Sequence, residues 1–238
     1  AGYDMWPGPY GNWGSRKSLM ASLDQSLVRM GLDYVDVFYS HRYDPETPLE
    51  ETMQALVDIV RQGKALYVGL SRYPADKAEE AYRYLEARDV HCLLYQGRYN
   101  LFDRAPEEEG ILGQARAYGV GFIAFSPLAQ GLLTSRYLQG VPEDSRMAQG
   151  RFLKREALTE AVLEKIKALD RVAAERGQTL AEMSLAWVLK DELVTSVIIG
   201  ASSVAQLEDN LKALRKVDFS REELDRIEAI CHTPDGGQ

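Results

Sequence analysis

Short apolar runs alternate along this chain with segments whose apolar residues recur every three or four positions, and that alternation constrains the fold more than any other feature. Leu19, Leu23, Leu27 and Met30 share one helical face, and Gly31 follows where a left-handed terminator is needed. Tyr34-Val-Asp-Val-Phe-Tyr39 reads as a strand. A helix starts near Pro48 with Met53, Leu56, Val57 and Val60 inward and Gly63 as its stop. Ala65-Leu-Tyr-Val-Gly-Leu70 is the second strand, and Pro74 starts a helix carrying Ala78, Ala81, Tyr82 and Leu85. Cys92-Leu-Leu-Tyr-Gln96, a helix over residues 108–118 and Gly121-Phe-Ile-Ala-Phe-Ser126 repeat the unit. A long connection from Pro127 to Lys154 precedes two helices, one marked by Val162, Ile166, Leu169 and Ala173, the other by Met183, Ala186 and Trp187. The fifth strand spans residues 195–199, and two amphipathic helices follow (Leu207, Leu211 and Leu214, then Leu224, Ile227 and Ile230). Near-continuous apolar strands joined by helices imply a parallel sheet covered on both faces. No linker or low-complexity stretch divides residues 1–238, so a single domain is expected.

Two sheet architectures accommodate this order. A (β/α)8 barrel takes eight strands in roughly 250 residues, and about five are legible here. An open doubly wound sheet needs only five, but its glycine-rich phosphate loop normally follows the first strand. Here the first strand leads into Ser40-His41-Arg42-Tyr43-Asp44-Pro45, which contains no glycine.

The balance of residues excludes several functions. With 45% hydrophobic and 27% charged residues the chain is an ordinary globular protein. A net charge of −8 argues against a nucleic-acid surface. No apolar run of about 18 residues suggests a membrane span, and the first ten residues lack the layout of a signal peptide. Cys92 and Cys231 form neither a disulfide framework nor a metal spacing, so a cytoplasmic location is expected. His41, His91 and His232 lie too far apart for metal-ligand spacing, and no metal is expected. Gly69-Leu-Ser-Arg-Tyr73 lacks the second glycine of a nucleophile elbow.

Two strand-to-helix turns carry chemistry. Val197-Ile-Ile-Gly-Ala-Ser-Ser203 passes from an apolar strand through glycine and serine into a helix. The first N–H groups of a helix have no internal partner and sit at the positive end of its dipole, so such a turn suits a phosphate. A second turn, Phe125-Ser-Pro-Leu128, precedes it.

At Tyr39-Ser-His-Arg-Tyr-Asp-Pro45, Tyr67-Val-Gly-Leu-Ser71, Phe125-Ser-Pro-Leu-Ala129 and Gly200-Ala-Ser-Ser203, in this order, the chain resembles the aldo-keto reductases. It is especially similar to the branch containing glyceraldehyde-3-phosphate reductases and potassium-channel β subunits. Gly140-Val-Pro-Glu-Asp-Ser-Arg146 and Arg151-Phe-Leu-Lys154 resemble that branch's long loop. The resemblance implies an incomplete (β/α)8 TIM barrel, with strands four to eight present and Ala1 following strand three. The family reduces carbonyls with a tyrosine general acid, a lysine, an aspartate and a histidine. Only the histidine, His41, is matched here, so the isolated chain is expected to lack reductase activity.

For the cofactor, the resemblance implies that Ser71, Arg72 and Gln96 contact the nicotinamide carboxamide and that Phe125 lies against its ring. Ser126, Pro127 and Leu128 fall at the ribose and pyrophosphate, with Arg136 and Arg146 supplying positive charge from the long loop. Gly200, Ser202, Gln206, Asp209 and Asn210 match the adenosine-phosphate end. Singly, these residues read as ordinary: Arg136 and Arg146 as solvated loop charges, Gln206 and Asn210 as a polar helix face, Phe125 as core. Their joint order carries the assignment. Arg72 stands where many members have asparagine. Gly97 replaces a frequent proline and is expected to loosen a loop beside Gln96. Ser203 stands where many NADPH-preferring members place a basic residue. NADPH is the expected cofactor, with NADH the alternative, and the expected reaction is reduction of small aldehydes or ketones. The competing reading is a non-catalytic nucleotide-binding regulatory subunit resembling the channel β subunits; a third is a truncated product with no activity. A small carbonyl substrate is expected, with no nucleic-acid or membrane partner, and a homo-oligomer is left open.

Overall fold

The computed structural model describes residues 13–135 and 158–232. The elements are α1 (Arg16–Met30), β1 (Val35–Ser40), α2 (Leu49–Arg61), β2 (Ala65–Ser71), α3 (Ala75–Glu86), β3 (Cys92–Arg98), α4 (Ala105–Glu108), α5 (Ile111–Ala117) and β4 (Gly121–Phe125). After a short 3-10 turn at Ala129–Gly131 come α6 (Glu160–Glu175), α7 (Leu180–Val188), β5 (Ser196–Ile198), α8 (Val204–Leu211) and α9 (Arg221–Cys231). The strands form one sheet in the order β1-β2-β3-β4-β5. β1 pairs with β2, and β2 with β3, in parallel. A parallel, helix-crossed sheet in sequential order is what part of a (β/α)8 barrel contributes.

Contacts divide the chain into two compact units. Unit 1 comprises Ala1–Gly97 and Pro106–Ile123, and unit 2 comprises Arg98–Ala105 and Ala124–Gln238. In unit 1, α1 packs on α2 and α2 on α3. Leu19, Leu23, Met53, Leu56, Ile59 and Leu85 are all buried between these helices and the strands. α2 covers the inner face of α1, and of that face only Met30, in the final turn, is exposed. Glycine ends α1 as expected, since Gly31 adopts φ 66 and donates back to Leu27 O and Val28 O. The expected helix over 108–118 is α5, which begins only at Ile111 after Gly110 at φ 76; a separate short α4 precedes it. Glycine reaches that conformation without a Cβ penalty, which lets the chain break the helix there.

Gly97 also departs from its expected role. It lies inside β3 rather than in a loop, and a Cβ on it would stand 2.7 Å from Phe122 Cζ. The Phe122 ring stacks on Tyr95 with centroids 5.8 Å apart and planes 14° apart, so the absent side chain makes room for an aromatic layer. Gly69 does the same for Tyr39, its register partner in β1, whose ring would meet a Cβ at 2.5 Å.

In unit 2, α6 packs against α7 and α9. Ile166, Leu169, Met183, Trp187 and Ile227 fill that interface. Thr179 and Ser220 open α7 and α9 with complete capping boxes to Glu182 and Glu223. The apolar face of α8 behaves otherwise: Val204, Leu207 and Leu211 are exposed, as is Leu214 in the 3-10 turn that follows. Among the described residues no helix is long and apolar enough to cross a membrane, and no group of three potential metal ligands occurs.

Candidate functional site

The chemistry-bearing residues stand where strands end. In unit 1, β1 closes at Ser40 and His41 follows. Ser40 Oγ lies 2.7 Å from the hydroxyl of buried Tyr73, and Tyr95 Oη donates to Tyr73 O at 2.7 Å. Burial pushes the Tyr73 hydroxyl well above its ordinary range, so it remains a neutral hydrogen-bonding group. Asp44 fixes the turn after His41, accepting from Gly14 N at 2.7 Å, Glu46 N at 3.0 Å and Thr47 Oγ1 at 2.6 Å. Partial burial acts upward on its carboxyl, but these donors and Arg42 outweigh it and hold it below the usual carboxylate range.

His41 is half-buried. Its pKa is lowered, first by burial and then by nearby positive charge, that of Arg72 and Arg42 included. The imidazole is therefore neutral at pH 7, with one N–H to donate and one nitrogen to accept.

Ser71, the last residue of β2, is buried and donates Oγ–H to Gln96 O at 2.8 Å; the two residues are register partners across β2 and β3. With that proton committed, Ser71 Oγ offers a ligand its lone pairs and suits an N–H donor such as a carboxamide. Arg72 then takes φ 54, an uncommon conformation for a residue with a Cβ. Such strain of about 1–3 kcal/mol gathers at functional sites.

Unit 2 contains a cavity of about 850 Å³. Its walls include Phe125, Ser126, Pro127 and Leu128 after β4, Ile199 and Gly200 after β5, and Gln206, Asp209 and Asn210 on α8. The chain leaving β4 is twisted into the left-handed region at Ser126 (φ 53), Ala129 (φ 47), Gln130 (φ 61) and Gly131 (φ 101). Asn100 holds this turn: its Nδ2 donates to Ser126 O at 3.0 Å while its Oδ1 accepts from Phe102 N and Asp103 N at 2.9 and 3.0 Å. Arg98 Cζ lies 6.0 Å from the Phe125 ring centroid.

Ser203 caps α8, accepting from Gln206 N at 3.2 Å. Gln206, which lines the cavity, accepts through Oε1 from Ser202 N at 2.7 Å and Ser202 Oγ at 3.0 Å. The first turn of α8 carries no acidic residue, so its dipole is uncompensated. Asn210 is 6% exposed, and its Nδ2 is a buried donor with no partner among the described residues. A buried orphan donor is costly unless something accepts from it.

Of the expected cofactor residues, Phe125, Ser126, Pro127, Leu128, Gly200, Gln206, Asp209 and Asn210 all line this cavity, and Ser202 braces Gln206 beside it. Ser71 and Gln96 are joined in unit 1. Arg136 and Arg146 lie outside the described residues. The sequence reading missed Thr179, Glu182, Lys212 and the supporting Asn100. The capping-box spacing Thr179–Glu182 was legible, but nothing in it said that this helix end would border a cavity.

Residues 4–232 match the aldo/keto reductase family, and the chain belongs to it. It is 53% identical to an L-glyceraldehyde 3-phosphate reductase of Escherichia coli O157:H7, across 99% of this chain and 69% of that protein. It is 38% identical to a probable voltage-gated potassium channel subunit beta of Oryza sativa subsp. japonica, across 95% of this chain and 70% of that protein. Among solved structures it is similar to a thermostable aldo-keto reductase in complex with the inhibitor epalrestat. That match has a TM-score of 0.69 and 30% identity, and covers 91% of this chain and 67% of the other. These likenesses bear out the expected family and the (β/α)8 architecture.

Proposed function

We propose that this chain serves the NAD(P)H-dependent reduction of small aldehydes or ketones, with the cytoplasm, which suits the free thiols Cys92 and Cys231, as its location. The observation that carries the reading is the unit 2 cavity, which the turn after β4, Gly200 after β5 and the polar residues Gln206, Asp209 and Asn210 of α8 line together. A dinucleotide suits such a lining. Its phosphates seek backbone N–H donors at a positive helix end, and its adenine nitrogens are acceptors for a buried amide. The residues present therefore fit the group, and the NADPH and NADH forms share these demands.

A bound reduced nicotinamide dinucleotide supplies the hydride. The chain's own residues bind, orient and polarise. His41, neutral because of burial and the nearby guanidinium groups, donates its N–H to a substrate carbonyl oxygen without competing as an acid of ordinary imidazolium strength. Ser71 accepts from a carboxamide N–H, its own proton being held by Gln96 O. Phe125 offers an aromatic face. The name of the E. coli relative points to a phosphorylated aldehyde as substrate.

The test is titration of reduced-nicotinamide fluorescence with the chain, in the native form and with Asn210→Leu. Saturable binding that the substitution weakens is expected, and absence of binding overturns the reading. A second reading, a nucleotide-binding regulatory subunit, draws on the likeness to the channel subunits. Turnover separates the two. In a chain also carrying the general-acid tyrosine and its lysine, the reductase reading expects activity that His41→Ala lowers by about 10²–10⁴-fold, mainly in kcat. Binding without turnover in that chain favours the regulatory reading.

A further inference from the structure

A single buried side chain joins the ends of three strands in unit 1. Tyr73 lies in the turn between β2 and α3 and is 2% exposed. Its hydroxyl stands 2.7 Å from Oγ of Ser40, the buried last residue of β1. Its carbonyl accepts from Tyr95 Oη of β3 at 2.7 Å, and its ring meets that of Tyr43 edge to face, with centroids 5.7 Å apart. The residues flanking this bracket are the ones with chemistry. His41 directly follows Ser40, and Arg72, held at φ 54, directly precedes Tyr73. The ladder between β1 and β2 closes at Ser40 and Leu70. Past that point the Tyr73 hydroxyl carries the connection on, from the backbone beside the guanidinium to the backbone beside the imidazole. A phenylalanine ring would fill the same space. The buried hydroxyl pair adds direction, because a hydrogen bond sets a distance and an angle that apolar contact leaves free.

The geometry points to Tyr73 as a positioning residue: through Ser40 it sets the separation of His41 from Arg72, and so the place of the imidazole at the strand ends. Its part in catalysis rests on the reading that His41 polarises a substrate carbonyl, whereas the placement itself does not. Displacing a reacting group by about 1 Å is enough to lower a rate by about 10²-fold. The bracket also holds across the pH range in which a histidine titrates. Burial keeps the Tyr73 hydroxyl protonated, and Asp44, whose carboxyl is held low by its donors, stays ionised. The positive charges that act on His41, those of Arg72 and Arg42 included, are constant there as well. A change in the His41 titration between variants therefore reports a change in where the ring sits.

NMR titration of the 238-residue chain, without cofactor or substrate, reads the His41 midpoint, with the resonance assigned by its loss in His41→Gln. Tyr73→Phe keeps the ring and removes the hydroxyl, and Ser40→Ala removes the other partner. Each is expected to raise the midpoint toward the ordinary value of about 6.5, because a loosened strand end lets the imidazole move away from Arg72 and into water. The double variant is expected to shift no further than either single one, since both substitutions break the same bond. An unchanged or lowered midpoint in either variant, shown to be folded by near-ultraviolet circular dichroism, overturns the inference. Additive shifts overturn the route through Ser40. Loss of folding in both variants assigns the hydroxyl pair to stability alone and overturns the positioning role. In a chain also carrying the general-acid tyrosine and its lysine, Tyr73→Phe is expected to lower kcat about ten-fold at unchanged KM, and a change in KM alone overturns the catalytic side of the role. Absence of turnover in that chain in its native form overturns the reductase reading instead, while the His41 midpoints still decide the placement.

Discussion

Asn100 ties stability to the cavity, and Asn100→Ala separates its effects. The side chain is 2% exposed, and its three hydrogen bonds join the turn after β3 to the carbonyl of Ser126. Not all of their partners are orphaned by truncation. Asp103 N still reaches Asn100 O at 3.2 Å, and Ser126 O still accepts from Ala129 N at 2.9 Å. Phe102 N is the group at risk of being left without an acceptor. Three bonds at about 1 kcal/mol net each, with part of a desolvation cost for Phe102 N, give roughly 3 kcal/mol. That is a large share of the about 5–15 kcal/mol that holds a domain together. Releasing the Ser126 carbonyl also lets a left-handed residue relax toward extended backbone, which alters the wall formed by Phe125–Leu128. Urea unfolding followed by tryptophan fluorescence measures the first effect, and dinucleotide titration the second. Asn100→Asp keeps both acceptor bonds and loses only the donor to Ser126, so it is expected to cost less stability but comparable affinity. A loss below about 1 kcal/mol for Asn100→Ala, at unchanged denaturant slope, would refute the accounting. Native affinity in both variants would detach Asn100 from the cavity.

Further outcomes follow from individual contacts. Gly97→Ala forces a Cβ against Phe122 at 2.7 Å and is expected to cost about 1–3 kcal/mol in thermal or denaturant unfolding; a neutral result would mean the Tyr95–Phe122 stack shifts freely. Ser203→Ala removes the cap from α8 and should cost about 0.5–2 kcal/mol, with weaker phosphate binding in the same titration. Because the His41 pKa is lowered in the folded state, the unfolded chain binds the extra proton more readily. Stability from this group therefore falls as pH drops below about 6.5 and levels off below the lowered value. An NMR titration should place the His41 midpoint under 6.5, and a midpoint at or above it contradicts the cationic surroundings. Glu223→Gln strips the charge that faces Arg176, whose side chain is only 1% exposed. Leaving a buried guanidinium uncompensated is expected to destabilise by several kcal/mol, about 3–5 at the usual scale, and a change under about 1 kcal/mol would show that Gln178 and the Asp218 carbonyl suffice for it.

The order of strands and helices was legible because burial on two faces demands apolar runs and burial on one face demands a helical period. Leu19, Leu23 and Leu27 could be placed inward, and Gly31 at the helix end, from those demands alone. The strand-end positions of His41, Ser71, Phe125 and Gly200 followed from the same alternation, since each lies just where an apolar run stops. Other features depended on which side chains meet in space. Gly97 looked like a loosened loop until Phe122 and Tyr95, distant in sequence, proved to occupy the room its side chain would need. The break between α4 and α5 lay hidden because a continuous helical period conceals a glycine that only backbone geometry sets to a positive φ. Asn100, Glu182 and Lys212 carry no spacing that ties them to the phosphate turn. Folding brings Glu182 and Lys212 to the cavity wall from separate segments and sets Asn100 against the Ser126 carbonyl. Local sequence determined each element, because hydrophobic period and capping act over a few residues. The tertiary structure alone decided which of the described residues line the cavity and which of their buried donors, Asn210 Nδ2, lacks a partner among them, because both depend on distances that the order of residues does not contain.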